Sequence, residues 1–182
     1  MEYKANPNIE DIEEEGELLP GLTECQLPYE ESLKFILAGK AIFTIRNRET
    51  GNRFTFKVSK AKNNGDRKYK KQAWFVSVLT GPDNNVCYQF FGTIFKDEKE
   101  VLSYNVSSKS RGKTGKIAIS KSAFAWFFRR LNSTEHSFPQ NLEVFHAGRC
   151  GRCGRLLTVP ESIKSGYGPE CVGKVIGVLK KN

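Results

Sequence analysis

The chain has 182 residues, 38% of them hydrophobic and thirteen of them Phe, which is enough for one main core with a small attached unit and too much for wholesale disorder. No apolar run is long enough for a membrane-spanning helix, so we expect no membrane partner. Five Cys in a chain whose first residues do not resemble an export signal favour a metal site or simple burial over a disulfide framework, in the reducing cytosol.

Charge is distributed unevenly along the chain. Residues 1–31 contain ten Asp and Glu and one Lys, whereas residues 32–182 contain ten Asp and Glu and twenty-eight Lys and Arg. A body this basic favours polyanionic partners, above all DNA or RNA, because each neutralised phosphate releases counterions. A solvated Lys-rich surface without a ligand is the alternative interpretation.

Residues 1–28 form a predicted acidic leader. The run from Glu10 to Glu17 lies near Pro and Gly residues and shows no sustained periodicity, which is typical of an extended, mobile segment. We interpret the leader either as a solvating tail or as a segment that folds back on the basic body or imitates a nucleic-acid backbone.

Residues 29–132 are predicted to form an α+β domain around an antiparallel sheet of about five strands, flanked by helices. Clustered apolar residues indicate the helices, and alternation of apolar and polar residues indicates the strands. In chain order, the predicted elements are a helix at 29–37, strands at 41–47, 53–60, 73–80, 86–95 and 101–106, and a helix at 120–131.

The strands predicted at 73–80 and 86–95 carry apolar residues on both faces, which predicts central strands covered on two sides. Their aromatic side chains would stack on bases if they were exposed, although core packing is the commoner use of such residues. The aromatic residues concerned are Trp74, Phe75, Tyr88, Phe90 and Phe91.

Two basic loops, at 60–71 and 107–116, join predicted elements of this domain. Such loops are usually only solvated, but in a phosphate-binding protein their cations would form a clamp. The candidate nucleic-acid-binding residues in them are Lys62, Arg67, Lys68, Lys70, Lys71, Lys109, Arg111, Lys113 and Lys116.

The remaining residues, 133–182, contain three of the five Cys. Cys150 and Cys153 have the C-x2-C spacing with which a tight turn presents two thiolates to one zinc ion, and Gly154 permits the backbone twist of such a turn. Cys171 follows Pro169 in the predicted first turn of a terminal helix. We therefore predict a small C-terminal zinc-binding module.

A structural zinc site needs four ligands, and the chain contains two His that could complete the set. His146 lies close before Cys150 at the end of an apolar strand, whereas His136 lies in a polar loop, so proximity favours His146. The predicted ligand set is His146, Cys150, Cys153 and Cys171. The alternative is a group of three buried thiols and a surface His.

The segment between the second and third Cys of the module contains a predicted short helix. Thr158 and Glu161 fit a capping box, and Pro160 falls inside the first turn. The module has little hydrophobic core of its own, so its folding depends on the metal and the first role of the metal is structural.

The segment HAGRCGRCGRLLTVPESIKSGYGPEC, residues 146–171, resembles a small zinc-binding module of treble-clef or zinc-ribbon type that closes many bacteriophage and prophage proteins of unknown function. Three parts of it carry the resemblance: Cys-Gly-Arg at 153–155, Leu-Thr-x-Pro-x-Ser at 157–162 and Gly-x-Gly-Pro-x-Cys at 166–171. The resemblance implies bound zinc and a place in the bacterial host cytosol, during phage infection or in a lysogen. It implies no activity.

The leading functional hypothesis is a non-enzymatic protein that binds nucleic acid through its basic body and through Arg149, Arg152 and Arg155, which are spaced as a phosphate clamp around the predicted zinc site. A second hypothesis is a phage-encoded interaction protein that inhibits or redirects a host protein partner, for example in evasion of host defences. A third hypothesis, a metal-dependent nuclease, would need an open metal site and a base such as His136.

Overall fold

The computed structural model describes residues 23–62, 72–83, 85–107 and 116–179. Within these ranges the chain forms a six-stranded antiparallel sheet with α-helices packed on it, so the fold class is α+β as predicted. The elements are, in chain order, α1 (Tyr29–Leu37), β1 (Lys40–Asn47), β2 (Arg53–Lys60), β3 (Gln72–Leu79), β4 (Tyr88–Lys96), β5 (Leu102–Val106), α2 (Lys116–Leu131), β6 (Leu142–His146), α3 (Pro160–Ser165) and α4 (Pro169–Leu179).

Both helices predicted in the sheet domain are confirmed. Helix α1 has the predicted bounds, with Glu30 and Glu31 in its first turn, where the helix dipole favours acidic side chains. Helix α2 starts earlier than the predicted residue 120 and ends at the predicted residue. None of the described helices combines the length and the apolar character that a membrane crossing requires.

Strands β1 and β2 form the predicted hairpin, in which alternate side chains face opposite sides of the sheet. Phe43 lies opposite Phe56 on the buried face. Thr44 lies opposite Thr55 on the other face, and their hydroxyl oxygens are 2.8 Å apart. Gly51, with a φ of +67°, supplies the left-handed backbone of the connecting turn.

The strand order is β5-β4-β3-β2-β1-β6, which contains one strand more than the predicted five. The additional strand is β6, whose residues the sequence places in the C-terminal segment. It pairs antiparallel with β1, with Val144 opposite Ile45. On its other side, Gln26 forms an isolated bridge with Phe145, and the N–H of Leu27 donates to the carbonyl of Val144 at 2.7 Å. The segment after residue 132 is thus joined to the main sheet by backbone hydrogen bonds.

The hydrophobic core lies between one face of the sheet and the helices α1 and α2. From α2, the ring of Phe124 packs 5.1 Å from that of Phe56, and the ring of Phe127 packs 5.7 Å from that of Phe43. Helix α1 lies on the same face, because the indole N–H of Trp74 on β3 donates to the last carbonyl of α1 at 2.9 Å.

The opposite face of β1–β5 carries neither α1 nor α2. Phe75 and Phe90 lie on that face and are 42% and 39% exposed, whereas Trp74 and Phe91 are buried against the helices. In the described part of the chain the helices pack on one face only, so the prediction that the strands at 73–80 and 86–95 are covered on both sides is wrong there. A register shift between β3 and β4 leaves Phe91 without a partner on β3 and places its ring on the covered side.

Candidate metal centre

The segment from Arg149 to Leu156, called the knuckle below, folds back on itself directly after β6. Its two end residues form an isolated bridge. Within it, the N–H of Cys150 donates to the carbonyl of Arg155 at 2.8 Å, and the N–H of Gly154 donates to the carbonyl of Cys150 at 2.8 Å. Gly154 has a φ of +80°, a conformation that favours glycine. The C-x2-C-G pattern thus forms the predicted tight turn.

The first turn of α4 holds Cys171, whose N–H donates to the carbonyl of Gly168 at 2.9 Å. The predicted short helix before it is confirmed as α3. Its N-cap is Val159 rather than Thr158, and no side chain caps it, so the predicted capping box is not formed. Gly166, with a φ of +74°, ends α3 and turns the chain towards α4.

Three thiols of the C-terminal segment form one cluster. The Sγ atoms of Cys150, Cys153 and Cys171 all lie within 4.8 Å of one another. A tetrahedral zinc ion with Zn–S distances of about 2.3 Å holds its sulfurs about 3.8 Å apart, so the cluster has the size of a metal site. Among the His, Cys, Asp and Glu side chains that the structure describes, no fourth joins the group. The three Cys could hold a metal ion and would leave one tetrahedral position to another ligand.

Backbone N–H groups favour the thiolate form of Cys150. Burial acts to raise the pKa of this thiol, but hydrogen bonds from the N–H groups of Gly168, Cys153 and Arg152 outweigh it, and the pKa lies below its ordinary value. Burial raises the pKa of Cys171, against the opposing effect of Arg152, whose Nη1 lies 3.9 Å from its Sγ. A cation among the three sulfurs would favour the thiolate form of all three.

His146 lies near the knuckle but outside the thiol cluster. Its side chain is buried, and its ring packs 5.6 Å from that of Phe35. Nδ1 accepts the N–H of Gly148 at 3.1 Å, so Nε2 carries the proton and donates to the carbonyl of Ile163 at 2.7 Å. Burial lowers the pKa of His146, in agreement with a neutral ring. Both ring nitrogens are therefore bound to backbone groups and neither faces the three sulfurs as a ligand. The predicted ligand set is corrected in this respect: the structure brings together Cys150, Cys153 and Cys171 without His146.

The three arginines of the predicted phosphate clamp are not equivalent. Arg149 is half-buried and donates from Nη1 to the carbonyl of Gly154 at 3.3 Å, so it helps to close the knuckle. Arg152 and Arg155 are exposed. These two side chains form a cationic tip beside the thiol cluster.

The knuckle packs on the start of β1. The N–H of Lys40 donates to the carbonyl of Gly151 at 2.6 Å, and the N–H of Gly151 donates to the carbonyl of Gly166 at 3.0 Å. The side chain of Lys40 lies 3.5 Å from the position that a Cβ would take at Gly154. The ring of Phe35 lies 2.8 Å and 2.9 Å from the corresponding positions at Gly151 and Gly166, so side chains there would meet the ring.

Few of the cations predicted to bind nucleic acid in the two basic loops fall within the described residues. Lys62 is one that does, and its side chain is exposed. The structure adds three cations on the strands, Lys40, Arg53 and Lys57, which are not among the predicted nucleic-acid-binding residues. The side chain of Lys116 and the predicted residues Arg67, Lys68, Lys70, Lys71, Lys109, Arg111 and Lys113 lie outside the described part of the chain.

The C-terminal part of the chain is similar to a known protein family. Residues 140–176 match the profile of a family of unknown function (DUF6011). The match covers β6, the knuckle, α3 and most of α4, and so includes the three clustered Cys. No curated protein and no solved structure matches the chain.

Proposed function

We propose that the protein is a zinc-stabilised, non-enzymatic protein that binds nucleic acid. The observation that carries this proposal is the cationic tip: Arg152 and Arg155 are exposed beside a cluster of three sulfurs, and Lys40 lies against the same turn. The chain as a whole also has a positive net charge, with 29 Lys and Arg against 20 Asp and Glu. Guanidinium groups on a rigid turn suit phosphate oxygens, which they bind in a bidentate manner.

Zinc is the proposed metal because thiolate ligands suit it and because it is redox-inert in a structural site. Cys150 and Cys153 belong to the knuckle and Cys171 belongs to α4, so a shared ion would cross-link the turn to the helix. Its fourth ligand in this proposal is a side chain outside the described residues, which closes the site as a structural role requires. The role of the ion is to hold the cationic tip in place.

The proposal includes the two basic loops at 60–71 and 107–116 as further phosphate-binding segments, on the strength of their Lys and Arg content. The resemblance of the C-terminal motif to modules of phage and prophage proteins supports a place in the cytosol of an infected or lysogenic bacterium. Thiols remain reduced in that compartment, as zinc binding requires.

Fluorescence anisotropy with labelled single-stranded and duplex DNA tests the proposal. We expect the metal-loaded protein to bind with micromolar or tighter affinity, and the logarithm of the affinity to fall linearly with the logarithm of salt concentration. Arg155→Ala should reduce the slope by about 0.7–0.9, the effect of one lost phosphate contact. Arg129→Ala, which removes an exposed cation from the last turn of α2, is the matched control and should leave the slope unchanged. Absent or salt-insensitive binding to both forms of DNA would refute the proposal.

A pull-down from bacterial lysate, with and without nuclease treatment, separates nucleic-acid binding from protein binding. Under the proposal, nuclease treatment should release what is retained on the protein. A host protein retained in stoichiometric amount after nuclease treatment would instead identify the chain as an interaction protein.

A further inference from the structure

The geometry points to the open face of the sheet, the face of β1–β5 opposite α1 and α2, as a platform on which unpaired bases stack, so that the nucleic acid bound here is single-stranded. This inference rests on the proposed function and adds the form of the nucleic acid and the surface that binds it. It follows from the accessibility of the face, its aromatic rings, its charge and its connection to the cationic tip.

The open face is accessible in the described part of the chain. Both α1 and α2 pack on the other face, as the contacts of Trp74 and Phe124 show. The outward side chains of β1–β5 are exposed or half-buried, apart from that of Ala73. An antiparallel sheet with one solvated face normally places polar residues there, whereas this face also carries aromatic rings.

Two Phe rings lie side by side at the centre of the open face. Phe75 on β3 and Phe90 on β4 are 42% and 39% exposed, and their ring centroids are 6.0 Å apart in an edge-to-face arrangement. Tyr88 continues the aromatic surface along β4, and the Nζ of Lys57 lies 5.3 Å from its ring centroid. Such a group offers a base a stacking surface and offers the adjoining phosphate a cation.

The charge of the strands matches a polyanion. Strands β1 to β5 contain no Asp or Glu, and four of their six Lys and Arg lie on the open face. The carboxylate of Glu143 on β6 is buried and lies 3.6 Å from Nε of Arg46 and 3.7 Å from Nε of Arg48, so it neutralises part of the charge at that end. Lys40, Arg53 and Lys57 have no ion pair among the described residues and lie on the open face.

The cross-strand register connects the open face to the cationic tip. Lys40, whose side chain lies against the knuckle, is opposite Ser59, and Ser59 is opposite Phe75. Neighbouring strands are about 4.8 Å apart, so the backbones of Lys40 and Phe75 are separated by about 10 Å. A polynucleotide bound by Arg152 and Arg155 would therefore continue over β1 to the rings.

Single-stranded nucleic acid fits this surface better than a duplex or a docked protein would. A duplex encloses its base faces within its own stack and leaves the exposed rings without a partner, whereas unpaired bases present those faces. A docked protein would have to place acidic groups opposite the cations as well as apolar groups on the rings. Rings and cations interleaved on one face are the combination that sequence-tolerant binding of single strands uses.

A double variant, Phe75→Ala with Phe90→Ala, tests the inference. Trp126→Ala is the matched control, because Trp126 is also 42% exposed but lies on α2, away from the open face. Each lost stacking contact should weaken binding of single-stranded DNA about 5- to 140-fold. The salt slope should stay unchanged, because no cation is removed. Phe75→Tyr keeps a ring at the site, so this variant and the control should bind as the wild type does.

Thermal unfolding of the variants, which should match that of the wild type, excludes a folding defect as the cause of lost binding. A wild type that prefers duplex DNA, or a double variant that binds single strands normally, overturns the inference while nucleic-acid binding stands. If the wild type binds neither single-stranded nor duplex DNA, the proposed function and this inference are both refuted. A protein partner that survives nuclease and is lost in the double variant assigns the face to a protein instead. The same loss measured with single-stranded RNA would support the inference equally.

Discussion

Packing between α1 and the knuckle leaves no room for a side chain at Gly151, and this can be tested by adding one methyl group. A Cβ at Gly151 would stand 2.8 Å from two ring atoms of Phe35, which is fully buried. Gly151 is not among the residues with positive φ, so an Ala there meets the ring without backbone strain. We expect Gly151→Ala to lower the free energy of unfolding by about 1–3 kcal/mol, the usual cost of overpacking a filled core.

Thermal unfolding of the metal-loaded protein, followed by circular dichroism, measures this effect. For a chain of this size, about 1–3 kcal/mol corresponds to a fall in the unfolding midpoint of about 2–12 °C. Phe35→Leu in the Gly151→Ala background frees space for the methyl group, so the double variant should be more stable than the two single effects predict, by about 0.5–3 kcal/mol. Gly173→Ala is the control, because nothing lies within 4 Å of its Cβ position on helix α4.

The control should be neutral or slightly stabilising, since Ala is favoured over Gly inside a helix by about 0.5–1 kcal/mol. An unchanged midpoint in Gly151→Ala would refute the packing of the knuckle on Phe35. Strictly additive effects of the two substitutions would refute it as well, because the ring and the methyl group would then not be in contact.

Three further predictions concern the metal, the buried imidazole and catalysis. Native mass spectrometry should find one zinc ion that Cys171→Ser loses and Cys25→Ser, outside the cluster, keeps. His146→Ala should keep the metal but lose about 1–3 kcal/mol of stability, because two backbone groups lose a buried partner. Burial lowers the pKa of His146, so its contribution to stability is complete above pH 6.5 and falls away as the pH drops through the folded-state pKa, a dependence that His146→Ala should lack. Plasmid DNA should stay intact in the presence of the metal-loaded protein with Mg²⁺ or Mn²⁺.

Each of these predictions has an opposing result. Loss of the metal in His146→Ala would show that the imidazole is a ligand after all. Retention of the metal in Cys171→Ser would show that this thiol is not a ligand. Equal pH dependence of stability with and without His146 would mean that the ring does not change protonation on unfolding. Plasmid cleavage that disappears in His136→Ala would make the protein a nuclease.

Local patterns in the sequence were sufficient for most elements of the fold. Alternation predicted the hairpin because Phe56 and Val58 face the helices while Arg53 and Lys57 do not. The place of β6 could not be predicted, because an apolar run at 142–146 indicates a strand but not its partner. That partner, β1, is distant in sequence, and the choice depends on tertiary packing.

Spacing in the sequence also predicted the three clustered thiols, but it could not decide the role of His146. An imidazole that binds metal and one that binds backbone groups differ in ring orientation, which Phe35 and the carbonyl of Ile163 determine here. Likewise, two strands with apolar residues on both faces do not reveal which face the helices will cover. Phe75 and Phe90 are exposed because the helices cover the other face of these strands.

The pairing of β6 with β1 has a consequence for synthesis of the protein on the ribosome. Strand β1 emerges early, whereas its outer neighbour at 142–146 emerges only after β2–β5 and α2 have been translated. Until then one edge of β1 has unpaired backbone groups, and such an edge can add strands from other chains. A message truncated between α2 and β6 would therefore encode an aggregation-prone fragment, and nascent chains stalled there would depend on chaperones.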